Sequence, residues 1–169
     1  MEEIAFLGHI MSKEGVQPDP SKIKAILEWE ALRSVTEIRS FLGLASYHRR
    51  FMKDFSVIAK PLIILLKKNT PYHWNEACQW SFERLKKTLT TTPILALLTR
   101  DRGFMVYTNT SGQGLGYVLM QNRRVIAYAS RQLQSYKMNH PTHDLELAAI
   151  VHTLKTLLIW KESLSTIKV

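Results

Sequence analysis

The apolar period of the sequence changes at 90-TTTP-93, and that change limits the folds open to the chain. Before it, apolar residues recur at helical spacing. After it, they run in short blocks separated by turn residues, which is the pattern of strands. Helices followed by strands predict an α+β fold with its boundary at 90–97.

Two helix starts in the first part are marked by capping chemistry. Asp19 can accept from free backbone N–H groups, and Pro20 suits the first helical position because its missing donor would go unused. Ile23, Ile26 and Leu27 then share a face, and Trp29 closes the element. Ser34 and Glu37 form an S-x-x-E capping box. Ile38, Phe41, Leu42, Ala45 and Met52 lie on one side of the helix that follows, at 100° per residue. A third helix is capped by Asn75, and its buried stripe is Cys78, Phe82, Leu85 and Leu89. The stretch 55–74 reads as a short helix and a loop with Pro71. Ahead of all these, 4-IAFLGHIMS-12 reads as one strand closed by the turn 13-KEGVQPDP-20.

Beyond Pro93, 103-GFMVYTN-109, 114-GLGYVLMQ-121 and 125-VIAYAS-130 read as a three-stranded antiparallel meander with short connections. Thr142 to Leu158 reads as a helix, and 165-STIKV-169 as a possible start of a fourth strand.

The formal charge is +9 over 169 residues, with a pI near 9.8, which favours a polyanionic partner. The charge is concentrated: residues 39–68 carry seven Lys and Arg against Asp54 alone, a local +6. A face of the second helix presents Arg39, Gly43, Ser46, Arg50 and Lys53. Basic ends with small residues between them would let a sugar–phosphate backbone approach closely. A glycine there costs about 1 kcal/mol of helix propensity against alanine, so Gly43 asks for a reason. The alternative reason is a second helix packed closely over it. Cys78 belongs to an apolar stripe and reads as core. One cysteine excludes an internal disulfide, the acidic N-terminus is unlike a secretory signal, and no apolar run spans a bilayer; an intracellular protein without a membrane partner is expected.

One carboxylate is placed for chemistry. Glu146 falls in the first turn of the last helix, and docking on the meander would bring it near Asn109, where the first strand ends. Phosphodiester hydrolysis with two metal ions requires several converging carboxylates. A lone Glu at a helix start is also explained by the helix dipole.

Long stretches extend this reading. FLGHIMSKEGVQPDPSKIKAILEW (6–29), EIRSFLGLASYHRRFMKDFSVIAKPL (37–62), VYTNTSGQGLGYVLMQ (106–121), VIAYASRQL (125–133) and NHPTHDLELAAIVHTLK (139–155) resemble, in order, the Pol polyprotein of Ty3/gypsy-type LTR retrotransposons. The resemblance implies a strand from the palm end and primer grip over 1–15, a helical thumb and connection over 16–92, and a truncated RNase H-like domain over 93–169. It implies that Gly8 and His9 lie near the primer terminus. It places the helix with Gly43 and Tyr47 along the template–primer minor groove, in agreement with the basic face of Arg39, Gly43, Arg50 and Lys53, and Thr142 and His143 beside the minor groove of an RNA–DNA hybrid. Core packing is the alternative for Tyr47, and an ordinary helix-start histidine for His143.

The family nuclease uses four acidic residues and Mg²⁺. Glu146 matches the second acid, while 108-TNTS-111 puts Asn109 where the first Asp belongs. The sequence given holds neither of the last two acids, nor the Y-x-D-D motif of the polymerase. The expectation is therefore a retrotransposon-derived reverse transcriptase/RNase H fragment that binds RNA–DNA hybrid or other nucleic acid, does not bind Mg²⁺ productively and does not cleave. Two alternatives stay open: an active enzyme completed by flanking Pol domains such as palm, fingers and integrase, and a non-enzymatic module that self-associates through an exposed sheet edge.

Overall fold

Two consecutive residues with positive φ turn the first apolar run back on itself. In the computed structural model, which describes residues 3–97, 99, 103–111, 114–133, 144, 147 and 151, Leu7 has φ 46° and Gly8 φ 68°. A two-residue hairpin turn of this kind needs positive φ at both positions, because only that twist matches the flanking strands. Strand β1 (Ile4–Phe6) therefore pairs antiparallel with β2 (His9–Ser12), Phe6 opposite His9. A second tight turn leads into β3 (Gly15–Pro18), which pairs with β2. The single strand over 4–12 and the turn over 13–20 are thus corrected to a three-stranded meander. Leucine seldom takes positive φ, so Leu7 carries no turn signal and the apolar run conceals the reversal.

Helix α1 (Pro20–Leu27) starts as its caps predict, with the Asp19 carboxylate accepting from the Ser21 N–H at 2.9 Å. Helix α2 (Val35–Tyr47) is capped by Ser34, whose hydroxyl accepts from the Glu37 N–H at 3.2 Å. The returning carboxylate of Glu37 accepts from the Arg33 N–H at 2.6 Å, one residue ahead of a standard capping box. Two short helices, α3 (Phe55–Ile58) and α4 (Lys60–Leu65), precede α5 (Glu76–Thr90), which Asn75 caps through the Cys78 N–H at 3.0 Å. Their inward faces form one apolar core around Ile26, Ile38, Phe41, Leu62, Phe82 and Leu85, and Cys78 lies within it. Burial of such side chains contributes roughly 1.5–3 kcal/mol each.

Helix α2 is shorter than its periodicity predicts. It ends at Tyr47, and Arg49–Phe51 form a 3₁₀ turn before Met52 becomes extended. Met52 is still fully buried, but Arg50 and Lys53 do not continue the helical face of Arg39 and Gly43. No glycine or proline marks this end; the packing of His48 and Phe51 beneath the first hairpin sets it.

The second sheet has the expected antiparallel order β4 (Met105–Ser111), β5 (Gly114–Gln121) and β6 (Arg124–Gln132). Asn122 and Arg123, with φ 52° and 62°, make the β5–β6 turn. The segment after the boundary joins the two sheets. Leu95 exchanges two backbone hydrogen bonds with Val16, at 2.7 and 2.9 Å, and the Ala96 N–H donates to the Val125 carbonyl at 2.7 Å. Buried Gln121 holds the continuation of that segment: its carbonyl accepts from the Thr99 N–H at 3.0 Å, and its amide donates to the Thr99 carbonyl at 2.9 Å.

Helix α3 docks on the second sheet where glycines leave room. A Cβ at Gly114 would come 2.9 Å from Val57 Cγ2, and one at Gly116 would come 2.9 Å from Asp54 Oδ1. The Ser56 N–H donates to Ser130 Oγ, and Gln132 Nε2 donates to the Ser56 carbonyl, both at 2.9 Å. Asp144, Leu147 and Val151 are helical, in keeping with a helix over 142–158, while the strand over 165–169 lies outside the described residues. No helix among the described residues is long and apolar enough to cross a membrane.

Candidate nucleic-acid interface and strand-end site

The end of α2 and the tip of the first hairpin form a single surface feature. Tyr47 stands 49% exposed at the last position of the helix, so it is not a core aromatic. Its hydroxyl donates to the Leu7 carbonyl, and its ring stacks on His9 with centroids 5.1 Å apart. A Cβ on Gly8 would lie 3.3 Å from Tyr47 Cε1. Glycine at the tip therefore serves two needs, positive φ and close approach of the ring.

Beneath the tip lies a layer of aromatic and basic groups. His9 stacks on Phe51 at 5.4 Å and meets the His48 ring edge-on at 5.8 Å. The Arg50 guanidinium lies 5.5 Å from the centre of the Phe51 ring, a favourable placement of a cation over a π face. Burial lowers the Arg50 pKa. Burial also lowers that of His9, helped by the Arg50 charge and opposed by the Leu7 carbonyl.

Along α2 the surface is open. Arg39 and Gly43 are exposed, and no described atom lies within 4 Å of a Cβ built on Gly43. A second helix packed over Gly43 is therefore excluded among the described residues. Ser46 donates its hydroxyl back to the Gly43 carbonyl at 3.0 Å, which keeps this face low. Lys53 is exposed in the turn before α3. The structure brings Gly8, His9, Tyr47 and Arg50 together, sets Arg39 and Gly43 along the adjoining helix, and leaves Lys53 off that helix. Thr142 and His143 lie outside the described residues.

His48, which the sequence reading passed over, is the most buried polar member of this group, at 2% exposure. Periodicity gives no sign of this burial, because the end of α2 cannot be read from it.

Asn109 is exposed on β4, opposite Gly116. The Asp54 carboxylate lies over that same Gly116. Glu146 lies outside the described residues. Among those described, no three His, Cys, Asp or Glu side chains converge as a metal site would require. A neutral amide with one donor oxygen does not suit a position between two dications, so the described residues at this strand end do not fit a Mg²⁺ pair.

A helical unit capped by a glycine-tipped hairpin is joined through one strand segment to an antiparallel meander, a mixed helix-and-sheet architecture with two three-stranded antiparallel sheets. The RNase H-like domain found in reverse transcriptase matches residues 74–169, and the chain belongs to that family. It is 38% identical over 157 residues to the retrovirus-related Pol polyprotein from transposon 297 of Drosophila melanogaster, covering 92% of this chain and 15% of the relative. To that from transposon gypsy of the same organism it is 39% identical over 168 residues, covering 92% and 16%. The chain thus spans less than a fifth of the length of each of these two polyproteins. The fold is shared with a foamy viral protease–reverse transcriptase solved in complex with an RNA/DNA hybrid, at TM-score 0.84 and 22% identity, covering 92% of this chain and 22% of that one. The chain thus carries an RNase H-like domain of the reverse transcriptase type, and over most of its length it is similar to retrovirus-related Pol polyproteins.

Proposed function

We propose that this segment binds duplex nucleic acid, RNA–DNA hybrid included, along the α2 face and the hairpin tip, and does not hydrolyse it. The observation that carries the reading is the open backbone at Gly43, between exposed Arg39 and exposed Tyr47. An exposed helical glycine costs about 1 kcal/mol against alanine, and close approach of a phosphate backbone is a use that offsets this cost. Arg39, Tyr47 and the glycine tip make contacts to backbone and groove without reading bases, so binding is expected to be independent of sequence. Asn109 in place of the family Asp supports the absence of cleavage. The bound Mg²⁺ pair of the family nuclease has no counterpart in the reaction assigned to this chain.

The test is fluorescence anisotropy with a labelled hybrid duplex at two salt concentrations, on the native chain and on Gly43→Ala. Affinity of the native chain is expected to fall about tenfold or more between low and physiological salt, as counterion release requires. Gly43→Ala is expected to raise stability by about 0.5–1 kcal/mol while weakening binding. Binding that ignores salt, or a variant both more stable and equally tight, would contradict this reading.

A further inference from the structure

Three buried side-chain nitrogens beneath the hairpin tip have no hydrogen-bond partner among the described residues: His9 Nε2, His48 Nδ1 and Arg50 Nε. They come from β2, from the residue that ends α2, and from the 3₁₀ turn. A buried polar atom left unpaired costs about 1–3 kcal/mol, and three such atoms in one layer form a sensitive joint. This joint is where the hairpin meets the helix. The Asp19 N–H donates to the Gly8 carbonyl at 3.1 Å on one side, and the Tyr47 hydroxyl donates to Leu7 on the other.

We infer that His48 is a positioning residue for the nucleic-acid grip, holding the Gly8 tip against Tyr47 only while its imidazole is neutral, so that the grip opens on acidification. The inference rests on the nucleic-acid reading of this surface. His48 touches no ligand itself; it meets Tyr47 edge-on at 5.0 Å and His9 edge-on at 5.8 Å. The charged and titratable groups facing it are His9 from β2, Asp19 from the start of α1 and the Tyr47 ring from α2, while Arg50 of the 3₁₀ turn acts on His9 and Lys22 on Asp19. A proton on His48 would place a second cation in the layer that already holds Arg50, and among the described residues Asp19 is the carboxylate that offsets it.

The direction follows from burial. Burial, then the neighbouring His9, pushes the pKa of His48 down to about 4 from an ordinary value of 6.5, with Asp19 opposing. A released hairpin would let His48 take up its proton near 6.5. The docked form is therefore at full strength above that value and weakens as pH falls from 6.5 towards about 4. Simple electrostatics predicts the opposite for a basic protein on a polyanion, since acidification adds positive charge.

Two measurements on the full chain test this. The first follows the His48 and Tyr47 ring signals by NMR between pH 7.5 and 4.5, without nucleic acid. The Tyr47 signals should change together with His48, below the range of a free histidine. Titration of His48 near the ordinary value, or Tyr47 signals that do not follow it, would overturn the inference. The second measures affinity for a hybrid duplex over the same range. The native chain should lose about tenfold in affinity on acidification, while His48→Gln, which stays neutral, should not. Affinity that rises steadily with acid in the native chain overturns the gate. No binding at neutral pH would sink the nucleic-acid reading instead, and the NMR titration would still decide the joint.

Discussion

Replacing Gly15 with alanine is expected to separate the two sheets at a cost of about 3 kcal/mol or more. The backbone at this residue has φ 148°, a region L-residues rarely adopt. The added methyl would also stand 2.1 Å from the Leu95 carbonyl oxygen and 2.9 Å from Ile94 Cγ2. The first obstacle is backbone and cannot swing aside. It belongs to the residue that bridges to Val16 and leads into the Ala96–Val125 bond, so relief requires loss of the strap. The expected results are a lowered denaturation midpoint and fast amide exchange at Val16 and Leu95. A variant within about 1 kcal/mol of the native chain would show that the strap is not as close as described.

The second large effect is expected in the helical core. Phe41 is fully buried. Its ring meets Trp29 edge-on at 6.0 Å and Phe82 at 4.9 Å. Phe41→Ala removes these contacts and leaves a cavity among rings that can collapse only in part. The expected loss is about 3–5 kcal/mol, a large share of a domain's total stability. The sheet has its own small core of Ala96, Leu119, Ile126 and Ala127. Amide exchange in Phe41→Ala should therefore accelerate most in α1, α2 and α5 and less in β5. Equal acceleration throughout would show one cooperative unit.

Much of the architecture is legible in the sequence because local chemistry and tertiary packing agree. Asp19, Ser34 and Asn75 each cap the helix expected of them, and the stripe from Cys78 to Leu89 is buried as its spacing requires. The meander of β4, β5 and β6 follows from three apolar blocks with turn residues between them. What escapes is what distant contacts decide. Leu7 takes positive φ against its propensity because the hairpin tip is fastened to Tyr47, 40 positions away in sequence. The end of α2 carries no local stop signal, so periodicity runs past it and misplaces Arg50 and Lys53. Val16 looks like part of a turn until Leu95 pairs with it.

The candidate site was legible in part. Gly43 stands out in the sequence as a glycine inside a helix, and its face is open among the described residues. His48 did not stand out, since its role depends on three segments meeting. The amide at Asn109 is visible in sequence, while the placement of the Asp54 carboxylate over neighbouring Gly116 depends on the docking of α3.

Binding without cleavage is best tested on one labelled RNA–DNA hybrid incubated with the full chain and Mg²⁺, with complex and products resolved together. The expected result is a retarded complex whose RNA strand stays intact. Cleaved RNA that disappears in Glu146→Gln would contradict the account, because the chain would then hold a working nuclease despite Asn109.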